Sequence, residues 1–220
     1  MIHHLVLFNS ESVILVTHDS RQAAGGIGRE IVFAFAEAGV KGILLADTSA
    51  EACAQVAAES LSLDTNPSYK PLSTVVDVTD AASIDAMVKM AVEGFKRIDY
   101  CVNAFGVDVK EYVPFCETDP EDYDRVLGIN TKGNFLVTRS VGKAMLAQEP
   151  VTVDLGRRGR LSDGMRTRDV GRGSIVNISS AMALVAVPGK APYTTSKHAL
   201  TGVTKAAGTF ILFLSPLVSF

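Results

Sequence analysis

Short apolar runs alternate with stretches of helical spacing along this chain. The runs lie at residues 13–16, 43–46, 74–76, 100–102 and 174–178, and polar or turn residues follow each of them. Short apolar runs of this kind are typical of strands buried on both faces of a sheet. Their alternation with helices predicts an α/β fold, a Rossmann-like doubly wound parallel sheet between two helical layers, with right-handed crossovers.

Capping and turn residues mark the ends of the predicted helices. Gly39 closes a helix over residues 25–38, and another helix is expected over residues 49–61. Asp80 can cap a third helix. The apolar face of that helix is expected to contain Ile84, Met87, Val88, Ala91, Val92 and Phe95.

The second half of the chain carries weaker local signals. Asp119 and Pro120 begin a helix that is expected to continue to residue 147, with a break near Gly128. Residues 149–172 are polar and rich in glycine, which predicts a surface loop within one domain that covers residues 1–220.

The predicted strands end at residues that could bind a ligand. These residues are Gly28, Asp47, Asp77, Asn103 and Ser180. Ligands of open parallel sheets bind outside the carboxyl ends of the strands, so these positions predict a binding site at that edge. Glycines at 26 and 28 would let the backbone approach a pyrophosphate at a helix N-terminus.

Tyr193 and Lys197 provide the strongest chemical signal. They are four residues apart, so a helix places the phenol and the ammonium on one face. A fixed ammonium stabilises a phenolate and lowers a phenol's pKa toward the range useful for proton transfer. Ser180 stands thirteen residues upstream of Tyr193, at the end of the fifth apolar run. A strand, a loop and a helix could therefore bring the three polar groups together.

With these residues in view, residues 12–207 resemble the short-chain dehydrogenase/reductase (SDR) family. Gly26-Ile27-Gly28 is similar to the end of the family's glycine motif, and residues 102–106 are similar to its Asn-Asn-Ala-Gly stretch. Asn130 stands in a segment similar to the family's Asn-containing helix. The resemblance implies a catalytic group made of Asn130, Ser180, Tyr193 and Lys197.

The resemblance also implies an activity, namely NAD(P)-dependent hydride transfer between nicotinamide and a ketone or secondary alcohol. Tyr193 would be the general acid or base, Ser180 would position the substrate oxygen, and Lys197 would bind the nicotinamide ribose. Asn130 would hold a water that relays protons to Lys197. The implied cofactor-binding residues are Thr17, Gly26, Ile27, Gly28, Asp47, Asp77, Val78, Asn103, Tyr193 and Lys197.

Asp47 indicates which dinucleotide is preferred. A carboxylate after the second strand can accept hydrogen bonds from ribose hydroxyls and would repel a 2′-phosphate. No basic residue immediately follows Asp47. NAD is therefore favoured over NADP. As a bare sequence feature, an Asp at a strand end, such as Asp77, is more often a cap or turn residue. The Asn103 amide could hold the backbone beside the adenosine, and its structural alternative is to stabilise that strand end.

The chain departs from the family pattern in two places. Four extra residues lie between Thr17 and Gly28, so that Gln22 takes the place of the first glycine and Asp19 adds a negative charge. Residues 208–220 stand where the family has its later elements, and they form an apolar tail that contains Pro216. This tail could form a short strand, but it is too short to replace those elements. A C-terminally truncated member with an exposed apolar sheet edge is expected. The rival interpretation is an inactive member that keeps a partial nucleotide-binding or interaction surface.

Composition adds few further constraints. The net charge of −3 gives no indication of nucleic-acid binding, and the arginine-rich stretch within 157–172 is interpreted as a solvated loop. Three cysteines without metal-ligand spacing predict a reduced, cytoplasmic protein with no metal. No signal peptide or membrane span is expected. The expected partners are a small ketone or alcohol and, by resemblance, identical subunits that pair through residues 119–147 and 192–207.

Overall fold

The structure, a computed structural model, describes residues 10–18, 26–154, 167–169 and 171–214. Its strands are β1 (Val13–His18), β2 (Gly42–Asp47), β3 (Lys70–Val75), β4 (Tyr100–Ala104), β5 (Thr152–Asp154), β6 (Thr167–Asp169) and β7 (Ser174–Asn177). Its α-helices are α1 (Ile27–Glu37), α2 (Ala50–Ser60), α3 (Ala81–Phe95), α4 (Pro120–Leu127), α5 (Asn134–Ala147) and α6 (Ala191–Leu214). A π-helical turn (Gly128–Gly133) joins α4 to α5, and short 3-10 helices lie at Phe115–Glu117 and Ala181–Ala183.

Five of these strands form one parallel sheet in the order β3-β2-β1-β4-β7. Strand β1 lies in the middle, where Leu15 is level with Leu44 of β2 and with Cys101 of β4. The predicted doubly wound α/β fold is confirmed. The chain leaves β1 toward β2 and β3, returns to the other side of β1 for β4, and so creates a crevice at the carboxyl ends of β1 and β4.

Apolar side chains on the two faces of the sheet form two cores. Leu15 and Leu44 face one side and pack with Ile84 and Met87 of α3 and with Val137 of α5. Alternate residues point the other way. Ile14, Val16, Ile43 and Leu45 pack there with Val32 of α1 and Val56 of α2.

Strand β3 begins earlier than its apolar run suggests. It starts at Lys70 and contains Pro71, which is level with Ile43 of β2. Proline lacks a backbone N–H, so it is tolerated on a strand that has a neighbour on one side only, and β3 is at the edge of the sheet. The prediction of a strand limited to residues 74–76 was therefore too short.

Helix α3 confirms most of its predicted apolar face. Ile84, Met87, Val88 and Ala91 are buried, and Phe95 packs against the same core. Val92 was wrongly included, because 37% of its surface is exposed. Upstream, Gly39 follows α1 with φ of +78°, a conformation that favours glycine, as its predicted role at the helix end requires.

The second half of the chain differs from the sequence-based expectations in two places. The described parts of the predicted loop 149–172 include strands β5 and β6, which pair antiparallel. The tail does not form a strand up to residue 214, because α6 continues from Ala191 to Leu214. The break predicted near Gly128 is confirmed as the π-helical turn Gly128–Gly133.

Strand β7 ends the sheet within the described residues. It pairs with β4, and 47% of the surface of Val176 is exposed on it. This agrees with the expectation of an apolar edge beside the Tyr193 helix. None of the helices in the described ranges is both long and apolar enough to cross a membrane.

Candidate active site

A cleft opens at the carboxyl ends of β1 and β4, between the start of α1 and the first turns of α6. Ten described residues line it, and they come from five parts of the chain: His18, Gly26, Ile27, Ala104, Phe105, Gly106, Ile178, Ser179, Tyr193 and Lys197. The cleft lies at the crevice where the order of the strands reverses, which is the usual ligand site of this architecture.

Tyr193 and Lys197 face this cleft from one side of α6. The Lys197 Nζ lies 5.5 Å from the centroid of the Tyr193 ring and donates a hydrogen bond to the Ile178 carbonyl at 3.2 Å. Lys197 is only 4% exposed, and this burial lowers the pKa of its ammonium from the ordinary lysine value. An ammonium has three donors, so two are left for a ligand after the bond to Ile178.

Asn130 and Lys197 both lie next to Gly106. A Cβ atom at Gly106 would lie 3.2 Å from the Asn130 Oδ1 and 3.4 Å from the Lys197 Nζ. The buried Asn130 amide accepts a hydrogen bond from Val107 N at 2.8 Å, and donates to Val107 O at 2.9 Å and to Ser196 Oγ at 3.0 Å. Asn130 therefore joins the loop after β4 to α6 next to Lys197.

The two serines after β7 differ in their surroundings. The Ser180 Oγ accepts a hydrogen bond from Met182 N at 3.2 Å and caps the 3-10 helix Ala181–Ala183. A hydroxyl that accepts one bond still has its proton to donate. Ser179 lines the cleft, and its buried Oγ has no hydrogen-bond partner among the described residues. Ser180, which sequence reasoning identified, is not among the residues that line the cleft, and Ser179, which it missed, is.

The start of α1 is close to the end of β1. Gly26 is the N-cap of α1 and has no side-chain cap, and Gly26 and Ile27 line the cleft. The space that side chains would need at Gly26 and Gly28 contains the ring of His18. Ideal Cβ atoms there would lie 2.7 Å from His18 Cε1 and 2.4 Å from His18 Nδ1, respectively. Gln22, which takes the place of the family's first glycine, and the charged Asp19 lie outside the described residues. Sequence reasoning missed His18, although it directly follows Thr17.

The acidic residues after β2 and β3 differ in exposure. The Asp47 side chain belongs to a fully buried residue and accepts hydrogen bonds from Ser49 N at 2.9 Å and Thr48 Oγ1 at 3.2 Å. Asp77 is exposed and accepts bonds from the Thr79 backbone N–H and hydroxyl at 2.8 and 2.7 Å. Val78 is half-buried and lies against Gly133. Both carboxylates thus hold local turns.

A line of polar side chains crosses the sheet below the cleft. Thr17 donates to the Asn103 Oδ1 at 2.9 Å, and Asn103 donates to the Asn177 Oδ1 at 2.8 Å. Asn177 in turn donates to Thr204 Oγ1 of α6 at 2.9 Å. Thr17 and Asn103 are fully buried and do not line the cleft. In this arrangement they hold strands β1, β4 and β7 and helix α6 in position, as the structural interpretation of Asn103 proposed.

A second ammonium faces the ring of Tyr193. The Lys190 Nζ lies 5.2 Å from the Tyr193 ring centroid and 4.9 Å from that of Tyr112. It forms an ion pair of 2.5 Å with the Asp108 carboxylate. The hydrogen bond to Asp108 raises the pKa of Lys190. The pair ties the loop after β4 to the residue before α6, and no local sequence pattern indicates it.

A comparison of the sequence with protein families decides the family. The model described as short chain dehydrogenase matches residues 12–153 and 160–209. The chain belongs to the short-chain dehydrogenase family. Among its curated relatives, Short-chain dehydrogenase anuF of Penicillium roqueforti is 40% identical over 185 residues, which are 84% of this chain and 64% of the relative. D-threitol dehydrogenase of Mycolicibacterium smegmatis is 34% identical over 183 residues, which are 83% of this chain and 59% of the relative.

Solved structures agree with this family. The structure of NAD+-bound xylitol dehydrogenase is similar with a TM-score of 0.73 and 27% identity, over 93% of this chain and 66% of that one. The structure of levodione reductase is similar with a TM-score of 0.73 and 26% identity, over 93% of this chain and 67% of that one. The match to the first curated relatives spans 64–65% of their length, which is less than two thirds.

A nicotinamide dinucleotide of the kind these dehydrogenases use would fit one end of the cleft better than the other. At the α6 end, Tyr193 and the remaining donors of Lys197 suit a ribose and a reacting oxygen. At the α1 end, the imidazole of His18 fills the space above the glycines that a pyrophosphate requires. The fit is therefore good at Tyr193 and obstructed at His18.

Proposed function

We propose that this chain is an NAD-dependent oxidoreductase that interconverts a ketone and a secondary alcohol, with Tyr193 as general acid or base. The observation that carries the proposal is the cleft that Tyr193 and Lys197 share with the start of α1. A phenol, a buried ammonium and a helix N-terminus with glycine as its N-cap, all in one cleft, suit a carbonyl oxygen beside an anionic dinucleotide. The names of relatives and the family itself support a dehydrogenase.

The proposal gives each of the four side chains a role. The bound nicotinamide would supply or accept the hydride. The Tyr193 hydroxyl donates a proton to the carbonyl oxygen in reduction and removes it in oxidation. Ser180 donates its free proton to the same oxygen and orients it. Lys197 is held in place by Ile178 and would offer its remaining donors to the nicotinamide ribose, while Asn130 fixes the loop beside it.

The other proposed dinucleotide contacts lie along the carboxyl edge of the sheet. The first turn of α1 at Gly26, Ile27 and Gly28 would hold the pyrophosphate. Asp77 and Val78 would flank the adenine, and Thr17 and Asn103 would support the strand ends from below. Asp47 would face the adenosine ribose. Its carboxylate is buried in this structure, so it must become exposed when the dinucleotide binds.

Asp47 is expected to select NAD over NADP. Asp47→Asn removes the charge that repels a 2′-phosphate but keeps an oxygen that can accept from Ser49 N. We expect NADH to bind the unaltered chain more tightly than NADPH, and D47N to reduce this difference about tenfold, the effect of roughly 1.4 kcal/mol. Calorimetric titration with both dinucleotides measures the ratio. Tighter binding of NADPH by the unaltered chain would refute this role.

The adjacent serines offer a matched pair of variants. Ser180→Ala removes the donor to the substrate oxygen and the cap of Met182 N, so we expect turnover to fall about tenfold to a hundredfold and stability to fall by about 1 kcal/mol. Ser179→Ala removes a hydroxyl without a partner among the described residues. This variant should leave turnover and stability nearly unchanged. A larger loss of turnover in S179A than in S180A would assign the substrate contact to Ser179.

The proposed setting is the cytoplasm, supported by free thiols at Cys53, Cys101 and Cys116. We also propose a homodimer or homotetramer built through α4, α5 and α6. Exposed apolar side chains on α5, among them Phe135 with 49% of its surface exposed, support this. Sedimentation velocity of the purified chain tests it, and a monomer at micromolar concentration would contradict it.

The activity is tested by following NADH oxidation with a panel of small ketones and diketones. We expect absorbance loss at 340 nm that depends on both the ketone and the protein, and a matching alcohol product by mass spectrometry. NADH binding without turnover of any ketone would favour the rival function, an inactive family member with a nucleotide-binding surface.

A further inference from the structure

The position of His18 leads to an inference about cofactor affinity that rests on the proposed function. We propose that the His18 imidazole occupies the place of the dinucleotide pyrophosphate at the start of α1. His18 therefore sets the affinity for the dinucleotide, which binds only after this side chain has swung out of the cleft.

The geometry of the ring is the first support. His18 is the last residue of β1, and its ring lies against the start of α1, with Cε1 nearest the Cβ position of Gly26 and Nδ1 nearest that of Gly28. An ideal Cβ at Gly26 would lie 2.7 Å from Cε1 and 3.7 Å from Nε2. A glycine at this position serves to let a phosphate approach the backbone. Here an aromatic ring of the same chain already covers that face.

The hydrogen bonding of the ring is the second, independent support. The buried His18 Nδ1 has no hydrogen-bond partner among the described residues. A buried polar nitrogen without a partner lowers stability, since it has lost its bonds to water. Within the described residues no hydrogen bond holds Nδ1 in this position, and water could bond to it once the ring swings out. An obstruction of this kind reduces affinity for the dinucleotide without abolishing binding.

The cleft itself is the third support. His18 lines the same cleft as Tyr193 and Lys197, so a molecule that extends from the α6 end toward α1 meets the imidazole. The N-cap of α1 is Gly26, which has no side chain to bond the first-turn N–H groups, and such groups suit an anion. With the ring removed, these groups and a pyrophosphate could come into contact.

Two substitutions separate obstruction from an attractive contact. His18→Ala removes the ring, and His18→Phe keeps its volume without nitrogen atoms. His198→Ala is the matched control, because His198 is an exposed histidine that does not line the cleft. The chain has no tryptophan, so the emission of bound NADH can be followed directly. Cooperative thermal unfolding verifies that each variant is folded, and His18→Ser replaces H18A if that variant is not.

We expect H18A to bind NADH about tenfold more tightly than the unaltered chain, and H18F to bind it no more tightly than the unaltered chain does. H198A should match the unaltered chain. Equal or weaker binding by H18A would overturn the proposal, and a loss in both H18A and H18F would show that the imidazole attracts the phosphates. If the unaltered chain binds NADH while either of these outcomes is found, the inference about His18 fails and the proposed function stands. If neither the unaltered chain nor any variant binds NADH, both the inference and the proposed function are wrong.

Discussion

Replacing Tyr193 with phenylalanine is expected to lower turnover by about 10² to 10⁴, the usual effect of removing a general acid or base. The substitution deletes one hydroxyl from the cleft and keeps the ring that packs beside Lys190 and Lys197. NADH affinity should change by less than about tenfold, because Lys197 and the α1 turn are retained. Initial rates with the best ketone of the panel and NADH titration measure both quantities.

Tyr69 provides a control with the opposite pattern. Its hydroxyl donates to Ser60 Oγ at 2.9 Å, away from the cleft. Tyr69→Phe should cost about 1 kcal/mol of unfolding free energy and leave turnover unchanged. If Y193F kept full turnover, or if both variants lost it alike, Tyr193 would not be the proton donor.

Replacing Lys197 with methionine is expected to abolish measurable turnover while the protein stays folded. The variant loses the donors that would hold the ribose and the charge beside Tyr193. It also removes an ammonium whose burial is costly, so the lost hydrogen bond to Ile178 is largely offset. We expect its free energy of unfolding at pH 7 to lie within about 1 kcal/mol of the unaltered chain, as measured by urea denaturation.

The pH dependence of the free energy of unfolding tests whether the burial of the Lys197 ammonium is costly. Burial lowers the pKa of Lys197 in the folded chain, so between that pKa and the ordinary lysine value the unfolded chain binds more protons. Stability from this group therefore rises with pH across that window, and K197M should lack the rise. Lys205→Met, at an exposed position of the same helix, is the control and should keep both the rise and the turnover. An equal slope in K197M would mean that burial does not perturb Lys197.

The order of the elements could be predicted because its signals are local. The apolar runs at 13–16 and 43–46 became the central strands β1 and β2, and the glycine at 39 ended α1. Strand β3 was misjudged because Pro71 reads as a strand breaker until the sheet places β3 at an edge.

The candidate site could be predicted only in part, because several of its contacts join distant segments. Tyr193 and Lys197 were found from a four-residue spacing on one helix. The ion pair between Asp108 and Lys190 joins residues 82 positions apart, so no local pattern reports it. The contact of His18 with Gly26 depends on how closely α1 approaches β1, which only the packed structure shows.

The burial of Asp47 illustrates another limit of sequence reasoning. The sequence placed it just beyond the second strand, and the structure makes it the last residue of β2, but its exposure depends on segments packed from elsewhere. The carboxylate bonds to Ser49 N, which makes it a helix-entry residue as well as a candidate for ribose binding. The two roles are compatible, since a carboxylate has several lone pairs.

A crystal structure of the chain with NADH tests the central claim most directly. The account predicts the nicotinamide ring beside Tyr193 and Lys197, between Gly106 and Ser179, with the pyrophosphate at Gly26 and the His18 ring rotated away from α1. A dinucleotide bound elsewhere, or a nicotinamide separated from Tyr193 by other side chains, would contradict the account.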